Sequence, residues 1–284
     1  MPGSIPRVEF AVVGVQKAGT TALFHFLSQH SRICVPSAKE LHFFDDDSRC
    51  WNGPDYRDYL CRFPRRRGRV AGEATPSYIW WPNALERLHA HNRDVKVIAL
   101  FRDPADRAHA HWRMSRARGL ETMDFSNAIR AGRRRLDGLA PNDARHRHFS
   151  YVERGFYGAQ AERLLSIFPR AQVLMLRQDD LALRHCHTLA RVFDFLELEQ
   201  EPVEARSVFV GDTAAPMYEA DAAYLADTYA GDMPRFADLS GLDVSDWPTA
   251  RREPGMASGS GGHAPRRGSL GGVTSIMPLS SGVP

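Results

Sequence analysis

The chain has 284 residues, of which 43% are hydrophobic, and a formal net charge of +3 at pH 7. This length allows one sizeable core, so a single α/β domain of about 250 residues is an ordinary outcome. Beyond residue 250 the chain has four arginines and one glutamate, which account for the whole net charge of +3. Residues 1–250 therefore carry no net charge, which argues against a nucleic-acid-binding protein.

Strand and helix patterns alternate along the chain. Apolar runs rich in β-branched residues predict four strands, at residues 8–15, 69–73, 95–101 and 171–177. Helical patterns fall at about residues 20–30, 54–63, 83–91, 104–118, 124–135 and 156–168. Residues 136–150 carry turn formers and charge without periodicity, which predicts a loop near an active-site rim. The alternation predicts an α/β fold of three layers, in which helices flank a central parallel sheet.

The composition changes near the end of the chain. From about residue 179 to Trp247 the pattern favours helices, whereas Gly, Ser and Pro dominate from Thr249 onward. Such a segment cannot bury enough surface to offset the entropy lost on ordering. We therefore expect one domain over residues 1–248 and a disordered tail over residues 249–284.

Cysteine usage and apolar runs suggest the compartment. The four cysteines, at 34, 50, 61 and 186, form no C-x-x-C pair, which favours reduced thiols over a disulfide framework. No apolar run approaches the roughly 20 residues that span a bilayer, and the N-terminus shows no export signal. We expect a cytoplasmic protein without a membrane span.

The segment GVQKAGTT, residues 14–21, connects the first predicted strand to the first predicted helix. Gly14 and Gly19 have the spacing of a Walker A loop, but Thr20 occupies the lysine position and Lys17 lies inside the loop. Ligands of open parallel sheets bind beyond the strand ends, where helix N-termini present free N–H groups. The loop therefore predicts a site for a phosphate-like group; the alternative is a tight turn with a solvated lysine.

A second cationic point follows the third predicted strand. Arg102 ends this strand, Asp103 is a favourable N-cap, Pro104 suits the first helical position, and Asp106 adds negative charge to the first turn. This turn directs Arg102 to the sheet edge where Lys17 lies. The alternative is a structural arginine paired with an acid.

Four motifs occur in order: VGVQKAGTTAL, KELHFFD, GEATPSY and LFRDPADRAHAHW. Together they resemble the sulfotransferases that use 3'-phosphoadenylyl sulfate (PAPS), in the branch that includes heparan sulfate sulfotransferases and bacterial relatives. The resemblance covers roughly residues 8–247 and implies a P-loop-like fold, with PAPS as sulfuryl donor and adenosine 3',5'-bisphosphate (PAP) as product. It implies that the 3'-phosphate is held by Arg102 and position 110, and that the 5'-phosphosulfate is held by Gln16, Lys17, Ala18, Gly19, Thr20 and Thr21.

The resemblance also assigns the chemistry. A sulfuryl group carries less negative charge than a phosphoryl group, so Mg²⁺ is less necessary, and no metal site is expected. Lys17 would stabilise the oxygen that links sulfur to the leaving nucleotide. The resemblance places the general base on Glu40, with His42 as the runner-up base or an acceptor-orienting group. Apolar neighbours of Glu40 are expected to raise its pKa.

Departures from the family pattern bear on function. Ala110 stands where the family usually has a serine that contacts the 3'-phosphate, which weakens the hold on the nucleotide or requires compensation by Thr75 or Arg113. Ala74 replaces a lysine of many heparan sulfate enzymes, and their late loop with paired cysteines has no counterpart. The last two departures favour a bacterial-type enzyme. A PAP-binding relative without activity is one alternative, and a P-loop kinase, which would need the missing Walker lysine, is another.

The acceptor is less visible in the sequence. A carbohydrate hydroxyl is the first expectation, because the resembling branch acts on saccharides, and a lipid or natural-product hydroxyl is the second. Arginine clusters at 62–69 and 130–135 would line a channel for an acidic saccharide or form solvated faces. Five aromatic residues near the proposed site would stack on the acceptor or belong to the core, namely Tyr78, Trp80, Trp81, Trp112 and Tyr157.

Overall fold

The computed structural model describes residues 7–64, 68–204 and 217–251. In these residues five strands form one parallel sheet in the order β2-β3-β1-β4-β5. The strands are β1 (Phe10–Gly14), β2 (Ile33–Cys34), β3 (Val70–Ala74), β4 (Lys96–Phe101) and β5 (Val173–Arg177). The predicted α/β fold with a central parallel sheet is confirmed.

Helices flank the sheet on the chain segments between and after the strands. They are α1 (Thr20–Gln29), α2 (Arg57–Leu60), α3 (Ala84–His91), α4 (Pro104–Ala117), α5 (Phe125–Leu136), α6 (Arg145–Phe149), α7 (Tyr157–Ile167), α8 (Gln178–Leu183), α9 (His185–Phe195), α10 (Glu219–Tyr229) and α11 (Met233–Ser240). The prediction of a helix over 54–63 was too long, because only α2 forms there.

Two elements were not predicted. Strand β2 has two residues, both buried, and so is too short to show a period in the sequence. Helix α6 lies within the predicted loop 136–150, so that prediction was wrong over its last residues. Its five residues include no buried side chain and no apolar period, and contacts from distant residues hold it in place. One of them is the hydrogen bond that Ser115 Oγ donates to the carbonyl of His148, 3.1 Å long.

The sheet register brings two strand ends together. β1 and β4 are parallel neighbours, with Val12 opposite Ile98 and Gly14 opposite Ala99. The N–H of Val15 continues the pairing by donating to the carbonyl of Leu100, 2.7 Å away. The loop after β1 and the residue after β4 therefore leave the sheet at the same edge, which is where ligands of parallel sheets bind.

Helix α4 begins as its sequence predicts. Asp103 Oδ1 accepts hydrogen bonds from the N–H groups of Ala105 (2.9 Å) and Asp106 (3.2 Å), and Pro104 occupies the first position. The carboxylate of Asp103 also accepts from the N–H and the hydroxyl of Thr249, both at 2.9 Å. Thr249 is buried by this contact, so the last described residues pack on the start of α4.

Most of the predicted tail, residues 252–284, lies outside the described residues, and the predicted boundary at residue 248 stays a prediction. All four cysteines are free thiols, of which only Cys34 is buried. None of the described helices combines the length and the apolar character needed to cross a membrane. The cytoplasmic location stays a prediction.

Candidate active site

The loop between β1 and α1 presents an open helix end. Gly19, the residue before α1, has φ +85°, a left-handed conformation that favours glycine, and no side chain caps the helix. The first turn of α1 contains no acidic residue. The free N–H groups of this turn, together with the positive end of the helix dipole, therefore form a site suited to an anion.

Lys17 lies inside this loop with φ +74°. Burial lowers the pKa of its ammonium group, and repulsion from Arg118, Arg102 and Arg113 lowers it further, while Glu40 acts in the opposite direction. Each of these four groups thus acts electrostatically on Lys17. We call Lys17, Arg102, Arg113 and Arg118 the cationic edge.

Arg102 follows β4 and is only loosely held. Its Nη2 lies 3.7 Å from Asp106 Oδ2, and the side chain is 32% exposed. Its carbonyl accepts a hydrogen bond from the Tyr157 hydroxyl, 3.0 Å away, which anchors the backbone and leaves the guanidinium accessible. Position 110, two turns along α4, is a half-buried alanine with no polar group to offer an anion.

Glu40 and His42 lie in a loop beside the end of β3. The N–H of Glu40 donates to the carbonyl of Ala74, 3.0 Å away, and both Glu40 and His42 have positive φ, +63° and +51°. Non-glycine residues rarely adopt this conformation, and where they do the surrounding structure has to stabilise it. The Glu40 side chain is 40% exposed, and its Oε1 lies 2.5 Å from Lys39 Nζ.

A chain of contacts runs from Glu40 into the protein. Glu40 Oε2 lies 3.6 Å from His42 Nε2, and the opposite ring nitrogen of His42 lies 2.9 Å from Asp45 Oδ2. Asp45 is fully buried, and its Oδ2 also accepts hydrogen bonds from Ser77 Oγ (2.6 Å) and Arg147 Nη1 (2.7 Å). A buried, fully bonded carboxylate thus orients His42, and His42 in turn faces Glu40.

These contacts reverse the predicted pKa of Glu40. Burial raises it, but the contacts of the carboxylate with His42 and Lys39 outweigh burial and leave the pKa at about 2. The expectation of a raised pKa was wrong because it considered only the desolvation of Glu40, whereas His42 and Lys39 stabilise the ionised carboxylate. Phe43 and Phe44 are buried and pack on Tyr59, with ring centroids 4.6 and 5.2 Å apart.

His42 carries a proton at neutral pH. Its contacts with Asp45 and then Glu40 raise its pKa to about 9, against the opposing effect of burial. For Asp45, burial raises the pKa, but its contacts with His42 and Arg147 dominate and leave it at about 2. Sequence reasoning did not single out Asp45, although it ends the motif KELHFFD three residues after His42.

Other predicted groups have different partners. The amide oxygen of Gln16 accepts a hydrogen bond from Arg154 Nη1, 2.9 Å away, so its side chain is anchored at the back of the loop. Thr75 is buried and donates to Glu73 Oε2, 2.6 Å away, so it is not free to replace the missing serine. Arg113, which acts electrostatically on Lys17, stays a prediction as the compensating group.

Several residues that were predicted to contact the acceptor also have other positions or partners in the fold. Tyr78, Trp81 and Tyr157 are core residues, each nearly inaccessible to solvent. In the second arginine cluster, Arg130 pairs with Asp221 and Arg135 with Glu121, at 2.7 and 2.8 Å. Within the first cluster, residues 65–67 lie outside the described residues. No group of three His, Cys, Asp or Glu side chains suited to a metal occurs in the described ranges.

A cleft of about 550 Å³ adjoins His42. We call it the His42 cleft. It lies between the loop that carries His42 and the segment around α6, and its wall consists of Leu41, His42, Asp45, Asp46, Asp47, Ser48, Arg49, Trp81, Asn142, Ala144 and Arg147.

The fold and the site together define a protein of the parallel α/β class with a candidate anion site at a strand end and an ionised carboxylate in a neighbouring loop. The chain belongs to the sulfotransferase domain family, whose profile matches residues 8–209. This confirms the family resemblance found in the sequence.

Individual relatives agree with this membership. The human heparan sulfate glucosamine 3-O-sulfotransferase 3B1 is 31% identical over 206 residues, covering 70% of this chain and 48% of the relative. The human 3-O-sulfotransferase 6 of the same series is 32% identical over 202 residues, covering 70% of this chain and 55% of the relative. The chain thus spans about half the length of these relatives. The crystal structure of a sulfotransferase from Alicyclobacillus acidocaldarius, 27% identical, has a TM-score of 0.72 and covers 87% of this chain and 100% of its own.

Proposed function

We propose that this protein transfers the sulfuryl group of PAPS to a carbohydrate hydroxyl. The observation that carries the proposal is the cationic edge beside an uncapped helix end, with the ionised carboxylate of Glu40 in electrostatic reach of Lys17. Family membership supports the reaction class, and relatives named for transfer to heparan sulfate glucosamine support the saccharide.

The donor fits the cationic edge. The first turn of α1 and Lys17 would hold the phosphosulfate, with Thr20 and Thr21 nearby, while Arg102 and Arg113 would hold the 3'-phosphate. Within the described part of the chain, Arg102 has a loose contact with Asp106, and the other cations of this edge have no carboxylate within ordinary ion-pair distance. An anion that binds here therefore supplies the missing countercharge.

The reaction needs one proton acceptor and one stabilised leaving group. The acceptor oxygen forms a bond to sulfur while the bond from sulfur to the nucleotide oxygen breaks, and Lys17 stabilises the charge on that leaving oxygen. The proton of the acceptor hydroxyl passes to Glu40. Its low pKa makes it a weak base, and this suffices because the attacking hydroxyl becomes strongly acidic as its oxygen bonds to sulfur.

His42 suits an orienting role better than that of the base. It is already protonated at neutral pH, so it has no free nitrogen lone pair to accept a proton. Its protonated ring can instead hold the Glu40 carboxylate in place, while buried Asp45 fixes the ring. This assignment keeps Glu40 as the base and Lys17 as the group that assists departure.

Nucleotide binding tests the proposal first. PAP should raise the thermal midpoint of the wild-type protein, because a ligand that binds the folded state stabilises it. Lys17→Ala should abolish the shift, and Lys96→Ala, which removes a lysine paired with Glu197 outside the site, should retain it. Transfer of radiolabelled sulfate from PAPS to a polysaccharide panel then tests the reaction. A wild-type protein that is not stabilised by PAP would contradict the proposal.

A further inference from the structure

The His42 cleft differs in charge from the cationic edge. Each charged side chain in its wall already has a partner of opposite charge. Asp46 Oδ2 lies 3.0 Å from Arg49 Nε, Asp45 Oδ2 lies 2.7 Å from Arg147 Nη1, and His42 faces Asp45 at 2.9 Å. Behind the wall, Asp47 Oδ1 lies 2.6 Å from Arg87 Nη2. Among the described residues of the wall, therefore, no unpaired cation is offered to an incoming anion.

An acidic saccharide would bring negative charge next to the carboxylates of these pairs. A sulfate near Arg49 or Arg147 would be attracted by the guanidinium but repelled by the aspartate that already pairs with it, so little net attraction remains. Displacing the aspartate instead would be costly where it is buried, as Asp45 is. Arg147 is fixed further because its guanidinium stacks on the Trp81 ring, 3.8 Å from the centroid.

Hydroxyl groups can use the same wall without breaking a pair. A carboxylate has more acceptor positions than one arginine fills, and a guanidinium has five N–H donors, so paired residues still accept and donate additional hydrogen bonds. Asp46 is 34% and Arg49 37% exposed, and Ser48 and Asn142 are exposed as well. Asn142 adds an amide that both donates and accepts, which matches the dual character of a sugar hydroxyl.

We infer that the His42 cleft binds an uncharged, hydroxyl-rich sugar unit, which presents the hydroxyl that is sulfated to Glu40. The inference rests on the proposed function and narrows its acceptor to uncharged saccharides, in contrast to the acidic chains named for the relatives. Two arginines of the second cluster agree with this, because Arg130 and Arg135 are paired with acids of the fold.

Binding in the presence of saturating PAP tests the inference without requiring turnover. One panel holds uncharged oligosaccharides of glucose, galactose, mannose, xylose and N-acetylhexosamine, and a matched panel carries carboxylates or sulfates. We expect members of the uncharged panel to bind, with affinity changing less than about twofold between low and physiological salt because no ion pairs form. Binding of the anionic panel alone, or of neither panel, overturns the inference.

Two variants create an unpaired cation in the cleft and should therefore change its preference toward anionic ligands. Asp46→Asn leaves Arg49 without its partner, and Asn142→Arg adds an unpaired cation at an exposed position that does not threaten the fold. Each should raise the affinity for the anionic panel by about tenfold relative to wild type, in a salt-sensitive manner. Asp55→Asn is the matched control, because it breaks a similar local pair with Arg57 outside the cleft. Unchanged anionic affinity in both cleft variants contradicts the inference.

Failure of the proposed function would look different. In that case the wild-type protein would show no stabilisation by PAP and no transfer from PAPS to any acceptor, whichever panel it binds. Stabilisation by PAP and transfer confined to anionic acceptors would instead preserve the proposed function and reject the uncharged acceptor.

Discussion

The cationic edge and the His42 cleft handle charge in opposite ways, and Glu40 is related to both: it acts electrostatically on Lys17 and lies 3.6 Å from His42. In the cationic edge, Lys17, Arg113 and Arg118 have no acidic partner within ordinary ion-pair distance in the described residues, and burial plus mutual repulsion lowers the pKa of Lys17. In the cleft, each charged side chain has an oppositely charged neighbour, and Asp45 is shared by Arg147 and His42. Cations without an acidic partner indicate a site for an anionic ligand, whereas paired charges indicate a site for an uncharged ligand.

A buried arginine connects the two regions. Arg154 donates to Gln16 in the first loop at 2.9 Å, and to Ser150 Oγ just after α6 at 2.8 Å, while its guanidinium stacks on the Trp80 ring at 4.5 Å. Helix α6 also carries Arg147, which holds Asp45. The loop that faces the donor and the wall that faces the acceptor are therefore held by one set of packed side chains.

The largest effect is expected at the carboxylate between the two regions. Glu40→Gln should lower the transfer rate by about 10²- to 10⁴-fold, the range typical of a lost general base, while PAP still stabilises the protein. Glu197→Gln, which also removes a lysine-paired glutamate but outside the site, should keep full activity. Rates from labelled PAPS measure the effect, and an active Glu40→Gln variant would exclude Glu40 from the mechanism.

The next effect concerns the orientation of His42. Asp45→Asn should slow transfer by roughly 10- to 100-fold, less than loss of the base, because Asp45 acts only through its neighbours. It should also move the high-pH decline of the rate, expected near pH 9 in the wild type, to lower pH, since the contact with Asp45 is the largest cause of the raised His42 pKa.

Asp47→Asn provides the comparison for Asp45→Asn. Asp47 is also ion-paired in the wall of the cleft, with Arg87, but does not contact His42. Its loss should leave the pH profile in place even if stability falls. Identical pH profiles for the two variants would show that Asp45 is merely structural.

A smaller effect concerns Arg113, the residue predicted to compensate for the family serine that is replaced by Ala110. Arg113→Ala should weaken PAP binding by about tenfold, equal to about 1.4 kcal/mol, because a charge-assisted contact to a phosphate is lost. Arg116→Ala is the control on the same helix, since Arg116 is exposed and donates to the carbonyl of Thr122. Titration calorimetry with PAP measures both, and equal affinities for wild type and Arg113→Ala would remove Arg113 from the cationic edge.

The smallest effect is on stability. The folded-state pKa of His42, about 9, exceeds its ordinary value of 6.5, so its contribution is complete below pH 6.5 and is lost as the pH rises through 9. Because the side chain is 46% exposed, solvent screening reduces this to about 1 kcal/mol. Urea unfolding at pH 6.5 and 9.5 should show a larger loss for the wild type than for His42→Gln. Equal losses would mean that His42 is not stabilised as a cation.

Much of the fold was readable from local patterns. The four apolar runs became β1, β3, β4 and β5, and the Asp103 cap with Pro104 began α4 as expected. These features depend on residues close in sequence, such as a strand period or a cap within one turn. The first loop and Arg102 were placed at one edge because parallel neighbouring strands end on the same side.

What the sequence determined by itself is therefore the order of elements, the parallel sheet, and the family motifs that bring Lys17 and Arg102 to one edge. Only the tertiary structure decided that Asp45 anchors His42, that the pKa of Glu40 falls, and that the charged side chains of the cleft are paired. Arg147 reaches Asp45 across 102 positions of the chain. Ionisation and pairing depend on which groups meet in space, and no local pattern records distances of that kind.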